Sequence, residues 1–413
     1  MSLQPSGGNS IALKYANFLA QENEVTLILP DIENLRRSRL GKIDSDYLNL
    51  IKTGDMKLSS LTTEQQEFDL VILTFWATIP LALNSTLRSK NWIHFCQSIE
   101  DRFGADPENY LKLDVTLAQA AYAVNIPVIT EATWIKEVLK LRGSRQLIEV
   151  VPNPVLKSLD VLPKTGEQLK GVNPNRLVVV IEGESSWFKG VSESIKALEL
   201  LSEGLYEVHF VGDKHEVNIS NPKVRIVLHG RVSRRMFHEI LSKSDVLLKM
   251  SHVEGMYGPP LEAFSYGTTC ITSSVTGHEE FVEHQKNGLV VNVSDYFRAS
   301  RWLQEINLNR NLLEKLNLGA LQTARNWPDE VMIEKKLIGA IDKIGRLNKT
   351  YQTLNSYSLV SGNFWNSMSL SYGKNPAFTI RQRHFLLVKE LLRQRRYITL
   401  LNKGSRFLVR KFL

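Results

Sequence analysis

The sequence predicts an α/β protein made of two doubly wound parallel sheets in tandem, and three observations carry that expectation. Short apolar runs that read as buried strands alternate with stretches of helical period. The alternation breaks once, in a segment rich in Pro, Gly and Asn at 150–176, and then restarts. At 413 residues the chain has room for two domains and a tail.

In order, Gly7-Gly8 reads as a turn opening an amphipathic helix, with Ile11, Tyr15, Phe18 and Leu19 at helical spacing. VTLILP (25–30) follows as a strand, and FDLVILT (68–74), NWIHFCQ (91–97) and IPVIT (126–130) read as further strands. Helical stretches around 108–123 and 133–142 separate them. After the break, LVVVIEG (177–183), YEVHFVG (206–212), VRIVLHG (224–230), DVLLKMS (245–251), TTCITSSV (268–275) and LVVNV (289–293) read as strands. VSESIKALELL (191–201), SRRMFHEILSKS (233–244), PPLEAFSYG (259–267) and HEEFVEHQ (278–285) read as the helices between them. The expected division is a first domain over 1–155, a linker over 156–175, a second domain over 176–325, a helix over 326–345 and an extension over 346–413. One irregularity stands at the start. A doubly wound domain begins with a central strand feeding its first turn, yet only six residues precede Gly7. The first strand is therefore expected to be missing, leaving an unfilled position in the first sheet.

Composition narrows the class. The chain opens MSLQPSGG, with neither a basic region nor an apolar run, so no signal peptide is expected. Its most apolar window, LVILTFWATIPLAL (70–83), is too short for a membrane span and is broken by Pro80. Cys96 and Cys270 lie in apolar segments and read as reduced, buried thiols, not as a disulfide framework or a zinc site. The expected location is the cytoplasm, either soluble or peripheral on the inner face of the membrane. Charge is concentrated at one end. Residues 374–413 carry eleven Lys and Arg against one acid, Glu390, a net of +10; with +8 overall, the rest sums to −2. In that tail Phe385, Leu386, Leu391, Leu392 and Ile398 alternate with basic residues. A basic amphipathic helix over 380–413 can lie on an anionic membrane. A partner-docking helix and a solvated tail are the alternatives, and no zinc spacing or basic body supports nucleic acid.

The chemistry is concentrated in HVEGMYGPPLEAFSYGTTCITSSVTGHEE (252–280), where Glu254 and Glu262 flank a loop of glycines and prolines. Glu254 projects from the carboxyl end of a strand. Pro260 suits a first helical turn, and Glu262 is expected in that turn, where the helix dipole favours a carboxylate by about 0.3–1 kcal/mol. Each also has a plain structural account: a dipole partner for Glu262, a solvated loop residue for Glu254. Lys189 reads equally as a surface lysine, Gly7-Gly8 as a simple turn and His94 as a packed strand residue. Asp44-Ser45-Asp46 imitates a DxD metal motif, but in a polar stretch with no matching context.

The spacing Glu-x7-Glu (E254-GMYGPPL-E262), followed by Ala263, Gly267, Gly277, Glu280 and Asn287-Gly288, resembles the retaining glycosyltransferases of family four, which have the GT-B fold. The resemblance covers about residues 5–345 and is densest across 244–291. It implies a nucleotide-sugar donor whose ribose hydroxyls are held by Glu262, with Glu254 against the sugar. It implies that the backbone N–H groups of Gly255, Met256 and Tyr257 contact the sugar hydroxyls, with Gly258 beside them. Gly277 and His278, opening a helix, would face the diphosphate; Gly7 and Gly8 would lie against the phosphates or the acceptor, and Gly183 would belong to the donor site. Lys189, in WFKGV, would be the charge on the leaving diphosphate. Two departures stand out. The arginine usual before that lysine is absent from GESSWF, leaving Lys249 or Arg231 to replace it. A histidine usual after the strand WIHFCQ is replaced by Gln97, followed by Ser98 and Glu100-Asp101, so Gln97 and Glu100 are the expected cleft residues. No cofactor and no metal is implied beyond the co-substrate. The implied reaction is transfer to a hydroxyl of a glycan or lipid-linked acceptor in cell-surface polysaccharide synthesis, by a front-face route that relies on positioning and charge. The alternative is a non-catalytic GT-B protein that binds a sugar nucleotide or a partner transferase. An epimerase or phosphorylase on the same fold is a third reading, without a pyridoxal lysine context to support it.

Overall fold

The structure, a computed structural model, describes residues 7–29, 56–61, 64–83, 85–104, 112–144, 146–155, 162, 176–183, 186–212 and 219–348. The N-terminal half runs α1 (Gly7–Ala20), β1 (Thr26–Leu29), β2 (Lys57–Ser60), β3 (Glu67–Leu73), α2 (Thr78–Leu83) and β4 (Arg88–Cys96). A 3₁₀ turn (Glu100–Gly104), α3 (Lys112–Tyr122), β5 (Val128–Thr130), α4 (Thr133–Leu141) and β6 (Ile148–Val150) follow. Strands β3-β4-β5-β6 form one parallel sheet in that order, while β1 pairs with β2 in a separate parallel ribbon. β3 buries apolar side chains on both faces. Leu70 and Ile72 join the cluster under α1, and Val71 and Leu73 join the cluster on the opposite face. Two covered faces are what a parallel sheet requires, and they explain why FDLVILT is a nearly continuous apolar run.

The second half runs β7 (Leu177–Gly183), α5 (Val191–Glu199), β8 (Tyr206–Gly212), β9 (Val224–Gly230), α6 (Arg234–Lys243), β10 (Val246–Lys249), α7 (Gly258–Ser265), β11 (Thr269–Ser273) and β12 (Gly288–Val291). All six strands are parallel, in the order β12-β11-β10-β7-β8-β9. The chain therefore reverses its direction of travel across the sheet between β7 and β10. At such a switch point the loops leaving the two strands diverge and open a crevice at their carboxyl ends. One expectation is corrected nearby: HEEFVEHQ is not a helix. It forms a three-residue 3₁₀ turn (His278–Glu280) and then an irregular segment, because the Asn287 amide bonds Phe281 O and the Glu283 N–H across the stretch.

Three helices complete the chain: α8 (Tyr296–Leu308), α9 (Arg310–Asn326) and α10 (Glu330–Asn348). Neither α8 nor α9 was expected from the sequence pattern. α10 crosses to the N-terminal sheet, where Ile333, Leu337, Ala340 and Ile344 pack with Ile11, Tyr15, Phe18, Phe95 and Ile129. Lys14–Glu330 and Lys343–Glu149 ion pairs flank this contact. A second apolar cluster is continuous through both domains, joining Trp76 and Trp92 to Met256, Phe264 and Phe281, with Trp327 packed against it. Asp44-Ser45-Asp46, nearly all of the linker and the basic stretch 374–413 lie outside the described residues. Among the described residues no helix is long and apolar enough to cross a membrane.

Candidate active site

The site lies where the loops after β7 and β10 meet. Lys189 ends a 3₁₀ turn (Trp187–Lys189) that is closed by Gly190 in the left-handed region, at φ 63°. A Cβ on Gly190 would sit 1.7 Å from the Met250 carbonyl oxygen, so this close approach of the two loops requires glycine. The approach brings Lys189 Nζ to 3.1 Å from both carboxylate oxygens of Glu254. Glu254 is buried, not solvated, and its Oε1 also accepts from Ser251 Oγ at 2.8 Å.

Lys249, one expected substitute for the missing arginine, lies 3.8 Å from Glu254 Oε1 but is turned mainly to another acid. It is 1% exposed and donates to Glu182 Oε2 at 2.6 Å and to Glu182 O at 3.2 Å, so its charge is already committed. Burial pushes the Glu182 carboxyl up, but Lys249 and Lys189 outweigh it and hold the group below its ordinary value. Arg231 is exposed, just after β9. The arginine that does enter the site is Arg234, at the start of α6, which the sequence reading missed.

Glu262 sits in the second turn of α7, not the first, so its position is not explained by the helix dipole. Arg234 Nη2 donates to its Oε1 at 2.6 Å, and His238 Nε2 lies 3.2 Å from its Oε2. Burial raises this carboxyl, but the charge of Arg234 and the His238 contact overcome it, so Glu262 stays anionic below the usual carboxylate range. The motif SRRMFHEIL contains both partners four positions apart, on one face of α6. That spacing was the available signal.

The N-terminal domain closes over this pair. Gln97 Nε2 donates to Gly8 O at 2.9 Å, and the Gln97 carbonyl oxygen lies 2.0 Å from where a Cβ on Gly255 would stand. Gln97 is thus wedged between the α1 N-terminus and the loop after β10. Gly8 is half-buried there, whereas Gly7 is exposed with open space around its Cα. Trp134 Nε1 donates to Gly255 O at 3.0 Å. Glu280 crosses between domains to accept from the Thr133 and Trp134 N–H groups, capping α4, whose own N-cap residue, Ala132, has no side chain for the task. Arg102 stacks on Trp134 and donates to Thr276 Oγ1 at 2.7 Å. Phe103 and Phe188 meet at 4.8 Å between ring centroids, and the Phe188 ring lies 5.5 Å from Lys189 Nζ.

Glu131, at the carboxyl end of β5, was not singled out by sequence. It is 5% exposed and accepts from the Met256 N–H at 3.0 Å and from Asn153 Nδ2 at 2.8 Å. Burial pushes its carboxyl up to about 7. Glu100, in contrast, does not join Lys189 and Glu254. It turns into the N-terminal domain, accepting from Trp76 N–H and Tyr122 OH, and burial raises it to about 8. His94 is packed as a strand residue against Tyr122, with burial lowering it to about 4.

The remaining residues that the resemblance assigned to the donor are placed as follows. Tyr257 is wholly buried, with its hydroxyl donating to Lys249 O at 2.8 Å and accepting from Thr272 Oγ1. Gly258 opens α7, and Gly183 ends β7 against Val191. Gly277 is left-handed (φ 96°), its Cα pressed against Gly255 O, and its N–H is taken by Glu279 Oε2 at 2.7 Å. His278 Nδ1 contacts Val275 O at 2.6 Å. The 3₁₀ turn is too short to aim a helix N-terminus at an anion.

This arrangement has counterparts. Residues 176–305 match the family described as Glycosyl transferases group 1. No curated protein matches the chain. Among solved structures, HepE of Anabaena in complex with UDP and glucose aligns with a TM-score of 0.64 at 14% identity, over 83% of this chain and 98% of that one. The lipopolysaccharide outer core galactosyltransferase WaaB, in its apo form, aligns at 0.55 with 17% identity, over 83% and 97%. Sucrose-phosphate synthase from Thermosynechococcus elongatus aligns at 0.56 with 16% identity, over 67% and 73%. At these identities the structural likeness speaks for the fold, and the sequence match over the second domain speaks for the family. Residues 176–305 thus form a domain that matches the glycosyl transferases group 1, and with two parallel-sheet domains facing one cleft the chain has the GT-B fold.

Proposed function

We propose that the protein is a retaining, nucleotide-sugar-dependent glycosyltransferase acting on a hydroxyl of a glycan or lipid-linked acceptor in cell-surface polysaccharide synthesis. The observation that carries this reading is the Lys189–Glu254 pair, 3.1 Å apart at the switch point of a parallel sheet. An anionic Glu262 held by Arg234 stands on the helix that leaves the same loop. In the proposed reaction Glu262 accepts from two vicinal ribose hydroxyls of the donor, and Lys189 turns from Glu254 to the departing diphosphate. The acceptor oxygen attacks the anomeric carbon on the face the diphosphate leaves. The anomeric C–O bond breaks as the new one forms, and the acceptor proton passes to the leaving phosphate oxygen. Catalysis then comes from positioning and from charge placed where charge develops. HepE, which shares the fold, was solved in complex with UDP-glucose, which makes that sugar nucleotide the first donor to try.

A second reading, a non-catalytic GT-B protein, is favoured by two occupied donors: the Met256 N–H is held by Glu131 and the Gly277 N–H by Glu279. One experiment separates the two. The purified chain and its Glu262→Ala variant are titrated with UDP, GDP, dTDP and ADP and their sugars, following thermal stability and slow hydrolysis of the sugar nucleotide. A base-selective stabilisation lost in the variant, with hydrolysis, supports the enzyme. Stabilisation without hydrolysis supports a sugar-nucleotide-binding protein, and no stabilisation by any nucleotide overturns the enzyme and leaves the non-catalytic protein as a partner of another transferase.

A further inference from the structure

The peptide unit that joins Gly255 to Met256 is held at both of its polar ends by the N-terminal domain. Its carbonyl accepts from Trp134 Nε1 at 3.0 Å, and its N–H donates to Glu131 Oε1 at 3.0 Å. The two partners stand close in sequence, Glu131 at the carboxyl end of β5 and Trp134 in the first turn of α4. Glycine permits the approach. A Cβ on Gly255 would stand 3.1 Å from Glu131 Oε1 and 2.0 Å from the Gln97 carbonyl oxygen.

The carboxylate is built into its own domain. Its Oε2 accepts from Asn153 Nδ2 at 2.8 Å, and the Gln97 side chain bonds to it as well. Glu131 is buried, so these partners fix it in front of the loop after β10. A backbone N–H carries one hydrogen, and at 3.0 Å no other acceptor fits between Met256 and Glu131. A hydroxyl oxygen can therefore reach that N–H only by taking the carboxylate's place. The exchange strands no buried group. Asn153 and Gln97 still bond to Glu131, and the hydroxyl oxygen pairs the N–H.

We propose that Glu131 and the donor sugar compete for a single backbone donor, the Met256 N–H, which the carboxylate must cede before a sugar hydroxyl can accept it. The inference rests on the donor site of the proposed function, and it names a residue of the opposite domain that sets sugar affinity there. Glu131 then weakens binding of the sugar part of the donor without touching the nucleotide. The bond it gives up has a charged acceptor, so removing the carboxylate should favour the sugar about tenfold. Trp134 stays on the Gly255 carbonyl and holds the peptide in place through the exchange.

The test compares the full chain with Glu131→Ala, with Glu131→Gln, which keeps the side chain's volume, and with Trp327→Phe. The last removes the bond from Trp327 Nε1 to Asn153 O, a tie beside the same contact that leaves the Met256 N–H paired. Calorimetric titration measures the affinities of UDP, GDP, dTDP and ADP and of their glucose derivatives. The readout is the ratio of sugar-nucleotide affinity to free-diphosphate affinity. The expected result is a ratio about tenfold higher in Glu131→Ala, raised less in Glu131→Gln and unchanged in Trp327→Phe. Sugar-nucleotide binding that appears only in the Glu131 variants also supports the competition. If a nucleotide binds but the ratio rises in neither Glu131 variant, the competition is overturned and the donor site stands; a ratio that falls makes Glu131 a direct ligand of the sugar. An equal rise in Trp327→Phe overturns it too, because looser closure alone then accounts for the gain. No binding of any of these compounds to any of these proteins overturns the donor site, and the competition with it.

Discussion

The Glu131 carboxylate of one domain accepts the backbone N–H of Met256 from the other at 3.0 Å, so the loop after β10 is held by a side chain that the N-terminal sheet presents. Asn153 reinforces it, donating to Glu131 through Nδ2 and to Met256 Sδ through its own backbone N–H. In this closed arrangement the carboxylate occupies a backbone donor that the proposed function assigns to the sugar.

Stability should fall as pH rises from about 6.5 to about 8.5. Glu131 and Glu100 have folded values raised to about 7 and about 8. Groups raised above their unfolded value stabilise the fold in their protonated form, and that contribution is lost as pH climbs through the folded value. His94, His229 and His284 are lowered and therefore neutral across this window, so they do not oppose the trend. The loss should be on the order of 2 kcal/mol. Denaturation at several pH values should show it, and Glu100→Gln with Glu131→Gln should flatten it.

Glu262→Gln should weaken nucleotide binding about tenfold to a hundredfold while leaving the fold nearly intact, since the amide still fills the space beside Arg234 and His238. Glu262→Ala should in addition cost about 1–3 kcal/mol of stability, because Arg234 and the buried His238 lose their shared acceptor. Calorimetric titration and thermal unfolding of the two variants distinguish the contributions.

Lys189→Met should lower kcat by about 10²–10³-fold with a smaller change in KM, because the lysine is proposed to act on charge that develops only as the diphosphate departs. Steady-state kinetics with the donor found by titration measures this. A pure KM effect would assign Lys189 to ground-state binding instead.

Gly190→Ala should cost about 3 kcal/mol or more, since its left-handed φ of 63° and a Cβ 1.7 Å from Met250 O combine strain with a backbone clash. Gly7→Ala, with open space around its Cα, is the matched control and should be near neutral. Chemical denaturation of both variants makes the comparison.

The strands were legible because a parallel sheet buried on both faces leaves long apolar runs: FDLVILT and LVVVIEG formed where the pattern placed them. Glu254 and Glu262 drew attention through the Glu-x7-Glu spacing of a family resemblance, and the structure pairs them with Lys189 and Arg234. The stretch after His278 misled because its apolar spacing is helical, whereas Asn287 folds it back on itself, a contact that no local pattern records. Glu131 was invisible for a similar reason. Its significance lies in Met256, 125 positions away, and a lone acid after IPVIT carries no motif. Glu100 misled in the opposite direction, since adjacency to Gln97 in sequence does not keep a side chain in the cleft once Tyr122 and Trp76 offer it an interior partner.

α10 has a consequence beyond packing. Just ahead of its start, Trp327 is anchored to Asn153 O at 2.9 Å, beside Glu131 and Met256, and further along Leu337 and Ile341 wall a cavity next to β3. The segment from Trp327 through α10 thus ties the closure of the cleft to the N-terminal sheet, and opening the cleft must strain or release that tie, so amide protection in α10 should report the state of the cleft.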